Sequence, residues 1–281
     1  MPRAILAILV FFALSGVESA AFFSSAPGPS TRPTSQPSAP DRLRVVSYNI
    51  FQGNRGIERI ARFLRKQQPD VVFLQEVCRP ACDRRGIDQA AYFARSLGDM
   101  HLVSATTLGA PNRATHDPVI LSRFALRDAR LIRGKDGGRV FGVLATLDAS
   151  GRPLHLLSVH ATSTHKLSLE HALNSANIRM AQITDLLALV RALDGDVIIA
   201  GDFNAADWMP EYHAMTRQWT DFGLVADTPR LSFPSHQPRL RIDYVFGRGA
   251  FEAVSYRVLD SLASDHRPVV AELQRQKTGQ P

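Results

Sequence analysis

The distribution of apolar and polar positions over residues 44–160 predicts strands interspersed with helices. Alternating or continuous apolar runs predict strands at residues 44–50, 71–77, 119–122, 140–147 and 154–159. Residues 148–152 (DASGR) join the last two runs and are typical of a hairpin turn. Apolar residues at helical spacing predict a helix over residues 57–66, and residues 89–97 also favour a helix.

The second half of the chain continues in the same way. It predicts a long helix over residues 169–193 and strands at residues 197–200, 242–246 and 269–273. Hairpins mixed with strand–helix–strand units indicate an α/β (α+β) protein with mixed sheets.

The N-terminal 41 residues differ from the rest of the chain. Arg3, the apolar stretch 4–14 and small residues at 19–21 predict a signal peptide over residues 1–21. The apolar stretch is shorter than the roughly 20 residues of a membrane-spanning helix. We therefore expect cleavage and export to the periplasm or the extracellular space, with an uncleaved membrane anchor as the alternative. Residues 22–41 are rich in Pro and Ser and predict a linker, so the folded domain is expected over residues 42–281.

Composition narrows the partners. Apolar residues make up 45% of the 281 positions, which is enough for a sizeable core, and the net charge of +7 favours anionic partners such as phosphates, nucleic acid or an acidic membrane surface. Only four of the 33 basic residues are Lys, a bias that is also typical of coding composition, so charge alone is weak evidence for nucleic acid. Cys78 and Cys82 are expected to form a disulfide in an oxidising compartment; two free thiols are the alternative.

Polar residues of metal-binding or acid–base type follow six of the apolar strands or lie in the turns beside them. They are Asn49, Glu76, His160, Asp202 with Asn204, Asp243, and Asp265 with His266. One such residue is commonly a loop or helix cap, but six positions in one chain are hard to explain in that way. Because ligands favour the strand ends at one edge of an α/β sheet, we expect these side chains to converge on one crevice.

The residue types suit one chemistry. Carboxylates such as Glu76 and Asp265 are typical ligands of Mg²⁺. Asp202 or His266 could activate water, and Asp243 could hold His266 in one tautomer. Asn204 could donate to a phosphate oxygen, and His160 could stabilise the phosphoryl group or protonate a leaving oxygen. The sequence contains no G-x-S-x-G, H-E-x-x-H, Walker or G-x-G-x-x-G motif, so acyl transfer, zinc proteolysis and nucleotide-loop chemistry have no support.

Six short motifs occur in an order that resembles the endonuclease/exonuclease/phosphatase superfamily. They are YN (48–49), LQE (74–76), SVH (158–160), GDFN (201–204), RIDY (241–244) and SDHRP (264–268). The superfamily includes pancreatic-type deoxyribonucleases, abasic-site endonucleases, bacterial sphingomyelinases and inositol-polyphosphate phosphatases. The resemblance covers about residues 42–275.

The resemblance implies a four-layered α-β-β-α sandwich with two mixed sheets, and Mg²⁺-dependent cleavage of phosphate esters, with Mn²⁺ or Ca²⁺ as alternative ions. It implies catalytic roles for His160, Asp202, Asn204, Asp243 and His266, and metal-binding roles for Asn49, Glu76 and Asp265. Arg139 stands where relatives often carry a basic residue, so it is either a phosphate contact or a solvent-facing side chain.

The chain departs from the pattern in two places. Some abasic-site endonucleases have an acid where this chain has Phe51, and a Tyr where it has His160, so the deoxyribonuclease and sphingomyelinase branches are more similar. We therefore predict an exported, monomeric phosphodiesterase that acts on nucleic acid. A phospholipid or glycolipid head-group phosphodiesterase with peripheral membrane contact is the alternative. A catalytically silent binding module is disfavoured, because Glu76, Asp202, Asp265 and His266 are all present.

Overall fold

A computed structural model of the protein describes residues 41–113, 115–134, 139–149, 151–164 and 168–276. The predicted signal peptide (1–21), and the predicted linker (22–41) except for Asp41, lie outside the described residues. Within the described ranges, no helix has the length and apolarity required to span a membrane.

The strands and helices predicted from the sequence are present, with ends within three residues of the predicted bounds. The strands are β1 (Arg42–Asn49), β2 (Val71–Cys78), β3 (His101–Val103), β4 (His116–Ser122), β5 (Arg127–Arg133), β6 (Val140–Ala149), β7 (Arg152–His160), β8 (Asp196–Asp202), β9 (Thr220–Asp221), β10 (Asp243–Arg248), β11 (Phe251–Val258) and β12 (Val269–Arg275). The helices are α1 (Ile57–Gln67), α2 (Gln89–Ser96), α3 (Leu169–Arg191) and α4 (Pro210–Thr216).

Five strands and helices were not predicted from the pattern of apolar residues: β3, β5, β9, β11 and α4. Three of them are short, at three, two and seven residues for β3, β9 and α4. β5 and β11 lie at sheet edges, where much of the strand faces solvent and the apolar alternation is weak. Short and edge elements take their stability from neighbouring strands, which a local pattern does not reveal.

The strands form two six-stranded mixed sheets. The first has the order β11-β12-β1-β2-β4-β3 and the second has the order β5-β6-β7-β8-β10-β9. Each contains one parallel pair, β1–β2 and β7–β8, with antiparallel neighbours. The predicted hairpin is confirmed, because β6 and β7 pair antiparallel from Gly142 opposite Val159 to Ala149 opposite Arg152.

The core has three apolar layers, which confirms the predicted sandwich. One cluster contains residues of both sheets, including Val45, Phe73, Leu156 and Val245, and lies between them. A second joins α1 and α2 to the first sheet, and a third joins α3 and α4 to the second sheet. The order of layers is therefore helix, sheet, sheet, helix, and all three interfaces exclude water from apolar surface.

Two local features shape the backbone near the ends of β8 and β2. Gly201 lies just before the end of β8, and a Cβ atom there would stand 1.9 Å from the carbonyl oxygen of Val159. Only glycine permits this approach of β8 to β7. Beyond the end of β2, the predicted disulfide between Cys78 and Cys82 is present and closes the start of the following loop.

Candidate active site

Strand register places three predicted site residues side by side in the second sheet. His160 at the end of β7 pairs with Asp202 at the end of β8, and Asp202 pairs with Asp243 at the start of β10. In the first sheet, Asn49 ends β1 opposite Gln75 of β2. Because β1 and β2 run parallel, as do β7 and β8, their carboxyl ends bring Asn49, Glu76, His160 and Asp202 to one edge of the sandwich.

A β-bulge positions Glu76. The register of β2 against β4 shifts between Leu74 and Val77, and Glu76 has a φ of 56°. Left-handed backbone in a non-glycine residue is costly and concentrates at functional sites. The bulge leaves the Glu76 side chain 18% exposed and lining the cleft between the sheet edges, whereas Gln75 before it is fully buried.

Asn49 links the two sheets beneath the cleft. Its buried side-chain amide donates to Glu76 Oε1 at 3.2 Å and to Asp202 Oδ2 at 3.0 Å. Its carboxamide oxygen accepts from the backbone N–H of Phe51 at 3.0 Å. In this arrangement the Asn49 amide nitrogen orients two carboxylates, and its carboxamide oxygen accepts a backbone hydrogen bond. Direct ligation of a metal by Asn49 stays a prediction.

Asp202 lies at the centre of the cluster. Its Oδ1 accepts from the backbone N–H of Asn204 at 2.8 Å. Its Oδ2 lies 3.7 Å from His160 Nε2 and 3.6 Å from His266 Nε2. Asn204 has a φ of 48° and its side-chain amide donates to the carbonyl of Ala161 at 3.1 Å, so the turn after β8 is held against the end of β7.

Asp243 and His266 make the contact that the sequence resemblance suggested. His266 Nδ1 lies 2.8 Å from Asp243 Oδ2, and both side chains are buried. A carboxylate only accepts, so Nδ1 carries a proton and Nε2 faces Asp202. Ser264 anchors the turn that carries His266, because its hydroxyl donates to the carbonyl of Asn49 at 2.7 Å.

The cluster concentrates opposite charges in a buried space. Burial is the largest influence on Asp202 and raises its pKa to about 7; Asp243 adds to this increase, while His266 opposes it. Burial alone would lower the pKa of His266, but the carboxylates Asp243 and Asp202 outweigh it and raise that pKa to about 10. Burial, together with the charge of Glu76, raises the pKa of Asp265.

The donor set fits a hard divalent cation. Glu76 and Asp265 both line the cleft, and the charge of Glu76 disfavours ionised Asp265, so a cation between them would offset a repulsion that the protein leaves in place. Among the described residues, Asp202, Asp243 and His266 have potential ligand atoms within 4.8 Å of one another. In that group the hydrogen bond to Asp243 already occupies Nδ1 of His266. Binding of the cation by Glu76 and Asp265 stays a prediction.

Seven of the nine predicted site residues line a single cleft of about 560 Å³. They are Glu76, Arg139, His160, Asp202, Asn204, Asp265 and His266. The other two, Asn49 and Asp243, are each 1% exposed and lie beneath it. The structure therefore brings all nine together, and their roles in catalysis stay predictions.

The same cleft is lined by further residues that were not predicted to belong to the site, and four of them are Phe51, Gln52, His116 and Phe233. Gln52 Nε2 donates to Glu76 Oε2 at 3.4 Å. His116 begins β4, and Arg139 Nη2 lies 3.4 Å from its Nδ1 and 3.5 Å from Nδ1 of His160. None of the four lies in a recognisable motif; only the proximity of Phe51 and Gln52 to Asn49 in the chain was a usable signal.

The two-sheet sandwich and its edge cluster of carboxylates and imidazoles define a class, the metal-dependent hydrolases of phosphate esters. A model of the Endonuclease/Exonuclease/phosphatase family matches residues 46–266, and the chain belongs to this family. No curated protein matches the chain.

Solved structures share the fold at low identity. An endonuclease/exonuclease/phosphatase from Bacteroides vulgatus is 14% identical with a TM-score of 0.66, over 84% of this chain and 99% of that chain. A humanized D. rerio TDP2 is 19% identical with a TM-score of 0.65, over 83% and 99%. A beta toxin from Staphylococcus aureus is 16% identical with a TM-score of 0.64, over 82% and 99%.

Proposed function

We propose that this protein is an exported, Mg²⁺-dependent phosphodiesterase whose substrate is nucleic acid. The observation that carries the proposal is the position of Asp202, whose Oδ2 faces the Nε2 atoms of His160 and His266 at the base of a cleft lined by Arg139. A carboxylate flanked by two nitrogen donors suits proton transfer at a phosphoryl centre.

The side chains divide the reaction among them. Asp202 accepts a proton from water as the water oxygen bonds to phosphorus, and the opposite P–O bond breaks. His160 Nδ1 lies beside Arg139, a pure donor, so Nδ1 accepts and Nε2 carries the proton; this N–H donates a hydrogen bond to the leaving oxygen. His266, held by Asp243, and Arg139 bind the phosphoryl oxygens. The leaving oxygen takes its proton from solvent, and Asp202 returns its proton to solvent.

The metal supplies positive charge against the phosphate in this scheme. Glu76 and Asp265 would hold it, and Asn49 would fix the orientation of Glu76 through the 3.2 Å hydrogen bond. The bulge fixes the backbone at Glu76, and the hydrogen bond from the Ser264 hydroxyl to the carbonyl of Asn49 anchors the turn that carries Asp265.

Two features support nucleic acid as the substrate. The chain carries a net charge of +7. The cleft also presents two half-buried aromatic rings, Phe51 and Phe233, beside the catalytic side chains. Aromatic faces in a cationic cleft bind bases by stacking.

A lipid head group is the second candidate. Trp208 and Leu169 are 61% and 76% exposed, and exposed large apolar side chains of this kind are used for contact with membrane surfaces. One of the similar solved structures is a beta toxin.

A substrate panel tests the proposal. Purified protein is incubated with DNA, RNA, sphingomyelin vesicles, phosphatidylinositol vesicles and inositol phosphates, each with Mg²⁺ and with chelator, and Asp202→Asn serves as the inactive control. We expect Mg²⁺-dependent cleavage of nucleic acid that the control lacks. Cleavage confined to the vesicles would transfer the assignment to lipid. The mass of the mature N-terminus of exported protein tests the predicted cleavage near residue 21.

A further inference from the structure

A second depression, which we term the arginine groove, adjoins the catalytic cleft. Its lining includes Arg79, Arg113, His116, Arg133 and Arg139. We propose that the arginine groove binds a second phosphate group of the same substrate, next to the phosphate that is cleaved. The inference rests on the proposed function and specifies its substrate as a diester that carries a further phosphate.

The groove and the cleft are continuous. His116 and Arg139 line both. The Arg139 guanidinium lies between the two histidines, with Nη2 at 3.4 Å from His116 Nδ1 and 3.5 Å from His160 Nδ1. The rings of His116 and His160 are 6.0 Å apart between centroids. A substrate with one phosphate at His160 would therefore extend past Arg139 directly into the groove.

The charge of the groove matches an anion. Among its described lining residues, Asp117 is the single carboxylate, and it pairs with Arg79, with both side chains nearly buried. Arg113 and Arg139 are exposed residues of this lining, so their guanidinium groups are accessible from the groove. Guanidinium groups bind phosphate through paired, charge-assisted hydrogen bonds. A phosphate group therefore matches this lining better than an apolar group does.

The wall that carries Arg113 is held in place before any ligand binds. Arg79 donates to the carbonyl of Pro111, and its own backbone N–H donates to the carbonyl of Thr115 at 3.2 Å. The backbone N–H of Ala81 donates to Asn112 Oδ1 at 3.0 Å. These bonds tie the segment around Arg113 to the loop that the disulfide closes. A pre-positioned wall reduces the ordering cost of binding.

Matched dinucleotides test the inference. We would measure kcat and KM with Mg²⁺ for the thymidine dinucleotide TpT, for the same dinucleotide with a 5′-phosphate, and for the same dinucleotide with a 3′-phosphate. The groove predicts that at least one added phosphate raises kcat/KM by about tenfold or more, mainly through a lower KM. Glycerophosphoinositol with and without a 4-phosphate forms the second arm and shows whether a head group can supply the second phosphate.

Three variants locate the effect. Arg113→Glu and Arg133→Glu each reverse an exposed charge in the groove, and Arg62→Glu reverses an exposed charge on α1 that lines neither depression. We expect the first two to lose the gain from the added phosphate while cleaving TpT within about twofold of the wild-type rate. Arg62→Glu should keep the gain. Circular dichroism checks that each variant folds, and two independent groove positions keep the test decisive if one does not.

Binding without turnover gives an independent readout. Fluorescence anisotropy of labelled oligothymidylate in chelator should weaken with salt, and each groove variant should reduce the slope of log affinity against log salt by about 0.7. The same added-phosphate gain in the groove variants as in the wild type, or no gain in either substrate arm, would overturn the inference. If bis(p-nitrophenyl) phosphate and all dinucleotides are left uncleaved, the proposed function fails, while the anisotropy slopes still decide whether the groove binds phosphates.

Discussion

Asp243 and His266 are 23 residues apart in the chain and meet in a buried hydrogen bond of 2.8 Å. At the scale of single residues, the candidate site is built from such contacts, each between side chains of different strands or turns. Asn49 joins Glu76 of its own sheet to Asp202 of the other, and Asp202 faces both imidazoles. Each side chain thereby restricts the orientation of the next, which is what precise catalysis requires.

The contact between Asp243 and His266 predicts non-additive variants. Asp243→Asn and His266→Ala should each lower kcat by about 10²-fold or more, since each removes part of one unit that stabilises charge on the phosphoryl oxygens. The double variant should be little worse than either single variant. The measurement is kcat on a soluble diester at saturating Mg²⁺, with Asp148→Asn at the β6–β7 turn as control. Losses that multiply would show that the two residues act independently.

Glu76 predicts a metal phenotype. Glu76→Ala should raise the Mg²⁺ concentration for half-maximal activity by about tenfold or more, because it removes one of two cleft carboxylates. The fold should remain intact, since the side chain is partly exposed at the cleft surface. Mg²⁺ titration of activity is the measurement, and Glu58→Ala on α1 is the control. Unchanged activity at limiting Mg²⁺ would exclude Glu76 as a ligand.

At the element scale, a buried ion pair joins the two helices of the second sheet. Arg179 of α3 donates to Glu211 of α4 at 2.9 Å, and both side chains are about 5% exposed or less. Arg179 also donates to the carbonyl of Thr162 and the hydroxyl of Thr164. The pair therefore holds α4 and the segment after β7, which borders the cleft.

Breaking this pair should destabilise the protein. Glu211→Gln leaves Arg179 buried beside a neutral group, which typically costs about 3–5 kcal/mol. The exposed pair of Arg85 and Glu58 is the matched control, and Glu58→Gln should cost less than about 1 kcal/mol. Urea unfolding of both variants measures the difference in free energy of unfolding. Equal losses would show that burial does not strengthen the pair between Arg179 and Glu211.

The loop after β2 predicts a pH-dependent contribution to stability. Burial acts to raise the pKa of Asp83, but hydrogen bonds from Gln89 and from the backbone of Arg85 and Ile87 outweigh it and lower that pKa. A lowered folded-state pKa contributes stability above the unfolded value of about 4, and this is lost as the pH falls through the folded value. The Tm difference between wild type and Asp83→Asn should therefore be greater at pH 7 than at pH 3. If the Tm difference at pH 3 were as great as at pH 7, the ionised Asp83 carboxylate would not be the source of the stabilisation.

At the scale of the whole molecule, the two predicted metal carboxylates are contributed by positions far apart in the chain. Glu76 lies in β2, and Asp265 precedes β12, with β1 between these strands in the sheet. The unfolded chain does not hold them together. Any cation bound by both therefore stabilises the folded molecule by mass action.

Mg²⁺ should accordingly raise the Tm in a concentration-dependent manner, and chelator should reverse the increase. Glu76→Ala should abolish most of the shift, whereas Asp148→Asn should keep it. Differential scanning fluorimetry across an Mg²⁺ series is the measurement. A Tm that is the same with Mg²⁺ and with chelator in the wild type would argue against a cation at Glu76 and Asp265.

Most of the fold was predictable from the sequence because the buried strands carry their own pattern. β2 and β8, for example, are short and largely apolar runs, a pattern that is typical of buried strands. The edge strands β5 and β11 were not predictable, because half of their side chains face solvent and their pairing depends on β6 and β12. The short helix α4 depends on its contact with α3 in the same way.

By itself the sequence determined which residue types stand at the strand ends, since motifs such as GDFN and SDHRP are local and ordered along the chain. Tertiary structure alone decided how those residues meet. The bulge that turns Glu76 into the cleft, the bonds of Asn49 across the two sheets and the position of His116 beside Arg139 all arise from contacts between strands far apart in the chain. Local patterns encode burial and backbone preference, whereas a site is a set of distances, and distances between strands are set by register and packing.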